Sequence, residues 1–192
     1  MTLIFSGMQL PNLNTARLVV RPYVIQDAPT VQSMLEDRRI AAMCASIPWP
    51  YPPGAAEEWI GTHEVHHDQL TGVIFAATRR QDDALLGTVS LLDIHAADRR
   101  AEVGYWIAAE YWNQGYCTEA LQALMAFARN TLGITRITGR CLAHNRASAR
   151  VLEKCGLLQE GLLHAHARSE GKYHDVLAFG VCWPERMHSA DG

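Results

Sequence analysis

Apolar residues recur along the chain with two different periods, and the change of period separates predicted strands from predicted helices. Alternating or β-branched apolar runs predict strands. They cover residues 17–23, 73–78, 85–94, 101–107, 134–142, 157–166 and 173–182. Apolar residues three and four positions apart predict helices over residues 28–38, 55–70, 118–132 and 147–155. The order β-α-α-β-β-β-α-β-α-β-β predicts one α/β domain with a mixed sheet.

Turn and capping residues mark the ends of several of these elements. We expect Asp27 to cap the helix at 28–38 and Asn145 to cap the helix at 147–155, which Gly156 follows. Polar turns join the three middle strands into an antiparallel meander, and residues 169–172 join the last two into a hairpin. Four prolines exclude regular structure from residues 47–54, and Pro22 indicates that the end of the first strand lies at a sheet edge.

Composition and charge narrow the class of protein. Hydrophobic residues make up 48% of the 192 residues and charged residues 19%, which is typical of a globular chain of one domain. The expected division is an arm at residues 1–15, the domain at 16–183 and a tail at 184–192. A formal net charge of −3 argues against nucleic acid as a partner. Scattered cysteines, and the lack of a signal peptide or a long apolar run, predict a cytoplasmic protein without membrane contact.

A strand, a short loop and a long helix follow one another between residues 103 and 132. The loop holds Gly115 just before the helix begins. A helix start leaves backbone N–H groups without partners and carries partial positive charge, so it can bind a pyrophosphate where a glycine lets the backbone approach. A plain strand–helix turn explains the same pattern. The Gly-Lys-Ser/Thr of a nucleotide-hydrolase loop and the three glycines of a dinucleotide fold are both missing.

Three motifs in this chain resemble those of the GNAT acetyltransferases, and within them the RimJ/RimL-like branch that acetylates protein N-termini. The first is Gly-Tyr-Trp-Ile at 104–107 with Tyr-Trp-x-x-Gly-Tyr-x-Thr-Glu-Ala at 111–120. The second is Asn-Arg-Ala-Ser-Ala-Arg-Val-Leu-Glu-Lys-Cys-Gly at 145–156, followed by Glu-Gly at 160–161. The third is Gly-Lys-Tyr-His-Asp-Val at 171–176. The resemblance extends over residues 16–181.

The resemblance implies the GNAT fold, which is a largely antiparallel mixed sheet of about six to seven strands flanked by helices. Two strands would splay into a V where acetyl-CoA, the cosubstrate, binds. The implied cofactor-binding residues are Tyr105, Trp106, Ile107, Gln114, Gly115, Tyr116, Cys117, Thr118, Asn145 and Ser148. The strand would hold the pantetheine arm, and the loop N–H groups the pyrophosphate. Asn145 would contact the pantetheine, although a plain helix cap also accounts for it.

This chain departs from the general family loop, Q/R-x-x-G-x-G/A, at two positions. Trp112 stands in the first, as is usual for the RimJ/RimL-like branch, and Cys117 stands in the last. A cysteine is small enough to fit, although its side chain narrows the loop. No base lies near Cys117 in the sequence, so we do not expect it to act as a nucleophile.

Amine acetylation requires a neutral amine and a proton for the leaving thiolate. We expect Glu102 to act as the base and Ser148, one helical turn after Asn145, as the proton donor. Glu102 could equally lie on a solvated strand face beside Arg99 and Arg100, and Ser148 could be an ordinary helix-start serine. Tyr173 is a reserve candidate for the donor.

Histidines form two groups, neither of which requires a metal. His63, His66 and His67 are spaced for one helix face, where solvation is the simpler explanation, and no metal is expected. His164 and His166, with His174 on the partner strand, could line the acceptor cleft or a polar sheet face.

The predicted function is transfer of an acetyl group from acetyl-CoA to a primary amine, with a protein or peptide N-terminal α-amine as the leading acceptor. The alternatives are a small amine such as a polyamine, an amino acid derivative or an antibiotic, and a non-catalytic acyl-CoA sensor or scaffold. An acidic cleft would favour a cationic small molecule, and an open groove a peptide. The family also suggests a homodimer.

Overall fold

The computed structural model describes residues 9–183, so the predicted tail at 184–192 and the first eight residues of the predicted arm lie outside the described residues. The strands are β1 (Leu13–Asn14), β2 (Leu18–Pro22), β3 (Val73–Arg79), β4 (Leu85–His95), β5 (Arg100–Ile107), β6 (Arg136–Leu142), β7 (Leu158–Ser169) and β8 (Lys172–Cys182). The α-helices are α1 (Ala28–Leu35), α2 (Arg38–Ala41), α3 (Ala55–Gly61), α4 (His63–Asp68), α5 (Tyr116–Asn130) and α6 (Arg146–Lys154). Short 3₁₀ helices cover Ile25–Asp27 and Ala109–Tyr111.

The strands form one open sheet in the order β1-β2-β3-β4-β5-β6-β8-β7. Neighbouring strands are antiparallel except β5 and β6, which are parallel. The predicted meander and hairpin are confirmed. The sheet has eight strands, and the one that the apolar pattern did not show is β1, which pairs with Val19 and Val20 and is too short for a periodic signal. Beyond Val20, β2 pairs with β3 alone, which agrees with an edge at Pro22.

Two of the predicted helices are broken in the structure. The helix predicted at 28–38 ends at Leu35, and Asp37 caps the separate helix α2 by accepting the backbone N–H of Arg39 at 2.9 Å. The helix predicted at 55–70 consists of α3 and α4, with Thr62 between them. The predicted Asp27 cap is wrong, because its carboxylate instead accepts two hydrogen bonds from the Arg21 guanidinium and one from the Val24 N–H.

Apolar cores lie on both faces of the sheet. On the first face, α5 and the turn after it bury the predicted stripe against the strands: Leu121, Leu124, Met125, Ala128 and Leu132. Helix α6 packs close to β6 on this face, because a Cβ at Gly139 would lie 2.8 Å from the Leu152 side chain. On the second face, α1 to α3 bury a smaller core over Ala76, Leu85 and Trp106.

The second face of the carboxyl-terminal strands carries ion pairs. Glu102, Thr138 and Gly180 are partners in neighbouring strands and therefore share this face. Arg140 pairs with Glu102, and Arg136 pairs with Glu160 over Gly180. The face is therefore a polar surface beside the second core. No helix of the described residues is long and apolar enough to cross a membrane.

Candidate active site

The predicted V-shaped splay is present between β5 and β6. The two strands pair only from Arg100 to Val103 on β5 and from Arg136 to Gly139 on β6. Both strands continue without pairing to each other, β5 to Ile107 and β6 to Leu142. The splay therefore begins after Val103 and leaves the β6-facing edge of residues 104–107 open for hydrogen bonds to an extended ligand.

The start of α5 lies at the wide end of the splay. Gly115 precedes the helix in the left-handed region, with φ +81°, where a glycine is favoured. Among the described residues, no side chain caps α5, so its first N–H groups are available to an anion. The Trp112 indole N–H donates to the Ile107 carbonyl at 2.6 Å and ties the loop to the end of β5. The residues present thus fit a pyrophosphate at this helix start.

Arg17 and Glu119 hold the loop that precedes α5, and neither residue was expected at the site. The Glu119 carboxylate accepts hydrogen bonds from the Thr15 hydroxyl at 2.6 Å, the Arg17 N–H at 2.8 Å and the Arg17 Nε at 2.7 Å. Desolvation raises the pKa of Glu119, but these hydrogen bonds together lower it below its ordinary value. Arg17 also donates to the Gln114 carbonyl at 2.9 Å and lies over the Tyr116 ring. The chain before β2 is therefore joined to the loop, and a cation stands beside the expected phosphates.

Ser148 and Tyr105 meet across the splay. The Tyr105 hydroxyl lies 2.9 Å from Ser148 Oγ and 3.0 Å from the Ser148 carbonyl oxygen. Burial raises the pKa of Tyr105 well above its ordinary value, so the phenol stays protonated and can donate to Ser148. Tyr105 is among the residues expected to bind the cosubstrate, but its pairing with Ser148 leaves no signal in the sequence because the two residues lie 43 positions apart. Tyr173, the reserve donor, is 69% exposed and lies beside Arg168.

Asn145 caps α6, as predicted. Its side-chain oxygen accepts the Ser148 N–H at 3.0 Å. Its amide nitrogen donates to the Met43 carbonyl at 3.1 Å, in the loop that follows α2. Both polar ends of Asn145 thus have protein partners, and it orients the backbone of Ser148.

Glu102 lies on the second face, next to the point where the strands separate. The Arg140 Nε donates to its carboxylate at 2.9 Å, and Arg140 Nη1 is 3.3 Å from His166 Nε2. The hydrogen bond to Glu102 is the main reason why the pKa of Arg140 is raised. The partner of Glu102 is therefore a residue on the next strand, and neither Arg99 nor Arg100 takes that place. Glu102 and Ser148 approach the splay from opposite faces of the sheet.

The other predicted contacts divide between the loop and the core. Trp106 is buried in the second core and Ile107 in the first. The Gln114 side chain donates to the Glu110 carbonyl, and the Thr118 carbonyl lies 3.8 Å from the Cys155 thiol. Burial raises the pKa of Cys117 far above that of a reactive thiol, which argues against a nucleophile there.

The histidines do not form a metal-binding group, since no three His, Cys, Asp or Glu side chains within residues 9–183 are placed to hold a metal ion. His63 instead packs edge-on against Trp59 and Tyr23, with ring centroids 4.5 and 5.3 Å away. The expectation of a solvated face is wrong for His63, since neither ring nitrogen reaches solvent or a described hydrogen-bond partner. His164 pairs with Asp175, and the rings of His144 and His174 lie 5.6 Å apart.

Comparison with known proteins identifies the family of this chain. The model of the acetyltransferase (GNAT) domain matches residues 17–158. The uncharacterized N-acetyltransferase YoaA of Bacillus subtilis is 26% identical over 174 residues, which are 91% of this chain and 98% of the relative. The ribosomal-protein-serine acetyltransferase of Escherichia coli is 30% identical over 96 residues, which are 50% of this chain and 54% of the relative.

A solved structure has the same fold. RimL, a ribosomal L7/L12 α-N-protein acetyltransferase in complex with coenzyme A, matches with a TM-score of 0.83 and 18% identity over 90% of this chain and 98% of its own. The predicted family, the fold class and the assignment as an acyltransferase are thus confirmed. The chain belongs to the GNAT acetyltransferase family and is an acetyl-CoA-dependent N-acetyltransferase.

Proposed function

We propose that this protein transfers the acetyl group of acetyl-CoA to the N-terminal α-amine of a protein or peptide, by direct transfer while both substrates are bound. The observation that carries the proposal is the splay between β5 and β6, which leads from the uncapped start of α5 to the Tyr105–Ser148 pair. Acetyl-CoA supplies the activated acetyl thioester. The open edge of residues 104–107 is suited to the pantetheine arm, and the N–H groups from Gln114 to Thr118 to the pyrophosphate.

Charge on the second face supports a peptide rather than a polyamine as acceptor. Two carboxylates there are neutralised, since Glu102 pairs with Arg140 and Glu160 with Arg136. A polyamine site would instead need unpaired carboxylates to balance several ammonium groups. The second face of β6 and β8 also presents a polar surface on which an extended peptide could lie.

We assign the proton movements to residues on the two faces of the splay. Glu102 is the proposed base and accepts a proton from the incoming amine directly or through one water molecule. An α-amine has an ordinary pKa of about 8 and needs modest help, whereas a lysine amine near 10.4 needs a stronger base. A carboxylate that shares its charge with Arg140 suits the easier of the two tasks.

Ser148 is the proposed donor to the departing sulfur. Tyr105 stays protonated because it is buried, and its one proton can go either to the Ser148 carbonyl oxygen or to Ser148 Oγ. When Tyr105 donates to Oγ, the serine proton is free to point into the splay. Holding both substrates at this place would supply much of the acceleration.

The proposal is tested with purified protein, acetyl-CoA and peptides that carry a free N-terminus and one internal lysine. Matched peptides with a formylated N-terminus, and spermidine, serve as alternative acceptors. Release of free CoA thiol gives the rate, and mass spectrometry locates the acetyl group. We expect acetylation of the free N-terminus and none of the formylated peptides. Acetylation confined to spermidine or to the internal lysine would contradict the proposed acceptor.

The roles of Ser148 and Tyr105 are tested in the same assay. Ser148→Ala keeps the backbone N–H that Asn145 binds, so the helix cap is retained while the donor is lost. We expect kcat to fall about 100-fold, the lower end of the range for a lost acid–base group, with little change in acetyl-CoA affinity. Tyr105→Phe should give a smaller loss in kcat. Equal losses of kcat and acetyl-CoA affinity in Ser148→Ala would contradict the assignment.

A further inference from the structure

The loop that follows α2 spans the splay on the second face of the sheet. We call residues 42–47 the bridging loop. On the β5 side, Cys44 and Ile47 pack against the second core, which contains Trp106. On the β6 side, the Asn145 amide donates to the Met43 carbonyl, and His144 Nε2 lies 3.5 Å from the Ala42 carbonyl oxygen. The bridging loop thus contacts the turn that follows β6 and the core that contains Trp106 of β5.

Asn145 joins this loop to the proposed proton donor. A carbonyl such as that of Met43 can only accept a hydrogen bond, and the Ser148 N–H can only donate one, so the orientation of the Asn145 amide follows from its two partners. One side chain therefore holds the bridging loop with its nitrogen and the backbone of Ser148 with its oxygen.

We propose that Asn145 is a positioning residue that latches the bridging loop as the acceptor-side wall of the active site, so that its amide N–H sets the affinity for the acceptor amine. This inference rests on the proposed function of the splay. The Met43 side chain is 37% exposed, and the helices on either side of the loop pack on the second face, which also carries Glu102. When the hydrogen bond from Asn145 to Met43 is present, the bridging loop is ordered before the acceptor binds. Without that hydrogen bond the loop must become ordered on binding, which lowers the affinity for the acceptor.

Two substitutions separate the latch from the helix cap. Asn145→Ser and Asn145→Asp keep a side-chain oxygen for the Ser148 N–H, since both residues are good caps, but neither can donate to the Met43 carbonyl. The two differ in charge, so a shared effect reports the lost donor. Asn145→Ala removes both functions and serves as the comparison for loss of the cap.

We expect KM for the acceptor to rise about tenfold in the serine and aspartate variants, as for one lost hydrogen bond, with KM for acetyl-CoA and kcat within about twofold. The melting temperature should fall most in Asn145→Ala, which loses the helix cap as well as the hydrogen bond to Met43. Hydrogen exchange of the bridging-loop amides should be faster in all three variants, because the Met43 and Cys44 N–H groups bond only within the turn that follows α2.

Two results would overturn the latch. A rise in KM for acetyl-CoA with an unchanged acceptor KM would show that Asn145 acts on the pantetheine instead. Unchanged exchange in the serine and aspartate variants would show that core packing alone holds the loop. The exchange measurement needs no turnover, so it tests the latch even if the wild-type protein acetylates none of the peptides and the proposed function fails.

Discussion

At the scale of single residues, the site divides its chemistry between side chains that the sequence pattern identified and partners that it did not. Glu102 lies two residues before the first motif, and Ser148 lies within the second. Their partners, Arg140 and Tyr105, come from elements 38 and 43 positions away in the chain. Each proposed proton carrier is thus controlled by a residue on another element, and substitutions should be designed in pairs.

Replacing Glu102 by Gln should lower kcat/KM for a peptide N-terminus about 100-fold, because the amine would lose its proton acceptor. Glutamine keeps the shape of the side chain and an oxygen that can accept from Arg140. The binding of acetyl-CoA, measured by calorimetry, should not change. As a control, Glu160→Gln breaks the neighbouring ion pair with Arg136 and should leave the rate unaltered. Full activity in Glu102→Gln would remove Glu102 from the mechanism.

At the scale of elements, the start of α5 is the feature on which the proposed cosubstrate site depends. The helix presents uncapped N–H groups, Gly115 brings the backbone close to a ligand, and Arg17 adds a charge beside it. A cation next to a helix N-terminus is unfavourable by itself, and Glu119 and the Gln114 carbonyl offset that cost. A bound phosphate would offset it further.

Gly115→Ala should weaken acetyl-CoA binding about tenfold, because a Cβ in the left-handed region costs roughly 1–2 kcal/mol and would lie against the Arg17 guanidinium. The chain offers a matched control in Gly54, which precedes α3 with φ +79°. Gly54→Ala imposes a similar backbone cost at a helix that has no role in the site. Calorimetric titration with acetyl-CoA should separate the two variants, although both should melt at lower temperature than the wild type. Equal affinities would contradict a pyrophosphate site at α5.

At the scale of the whole molecule, local signals predicted most of the fold. The α5 stripe, the Asn145 cap and the last hairpin are each formed by consecutive residues, so the sequence alone identified them. The break after Leu35 was missed because Asp37 restarts a helix within the same apolar pattern. The contacts of Glu119 with Thr15 and Arg17 span more than a hundred positions, and no local pattern reports such distances.

Because both ring nitrogens of His63 are buried, the free energy of unfolding should depend on pH. Burial is the main cause that lowers the pKa of His63 from 6.5 to about 4. The folded protein therefore excludes a proton that the unfolded chain takes up, and stability should fall as the pH drops from about 6.5 to about 4, with no further contribution below.

Melting temperatures at pH 7.5 and pH 4.5 test this dependence. His63→Phe keeps an aromatic ring between Trp59 and Tyr23 but cannot be protonated, so it should lose less stability in acid than the wild type. His66→Gln, on the exposed side of the same helix, should behave like the wild type. An identical acid response in His63→Phe and the wild type would contradict the assignment.

The short pairing between β5 and β6 also bears on how the molecule holds together. In the region that the structure describes, the ladder between β5 and β6 has four residue pairs, and side chains, α5 and α6 add contacts between the β1–β5 and β6–β8 parts of the sheet. The two parts of the sheet should therefore separate transiently more easily than neighbouring strands within either part. A cosubstrate bound along the open edge would hold the two parts of the sheet together through non-covalent contacts. At 100 times its dissociation constant, such a ligand adds about 2.7 kcal/mol to the free energy of unfolding. Acetyl-CoA would then stabilise the folded protein as well as supply the acetyl group.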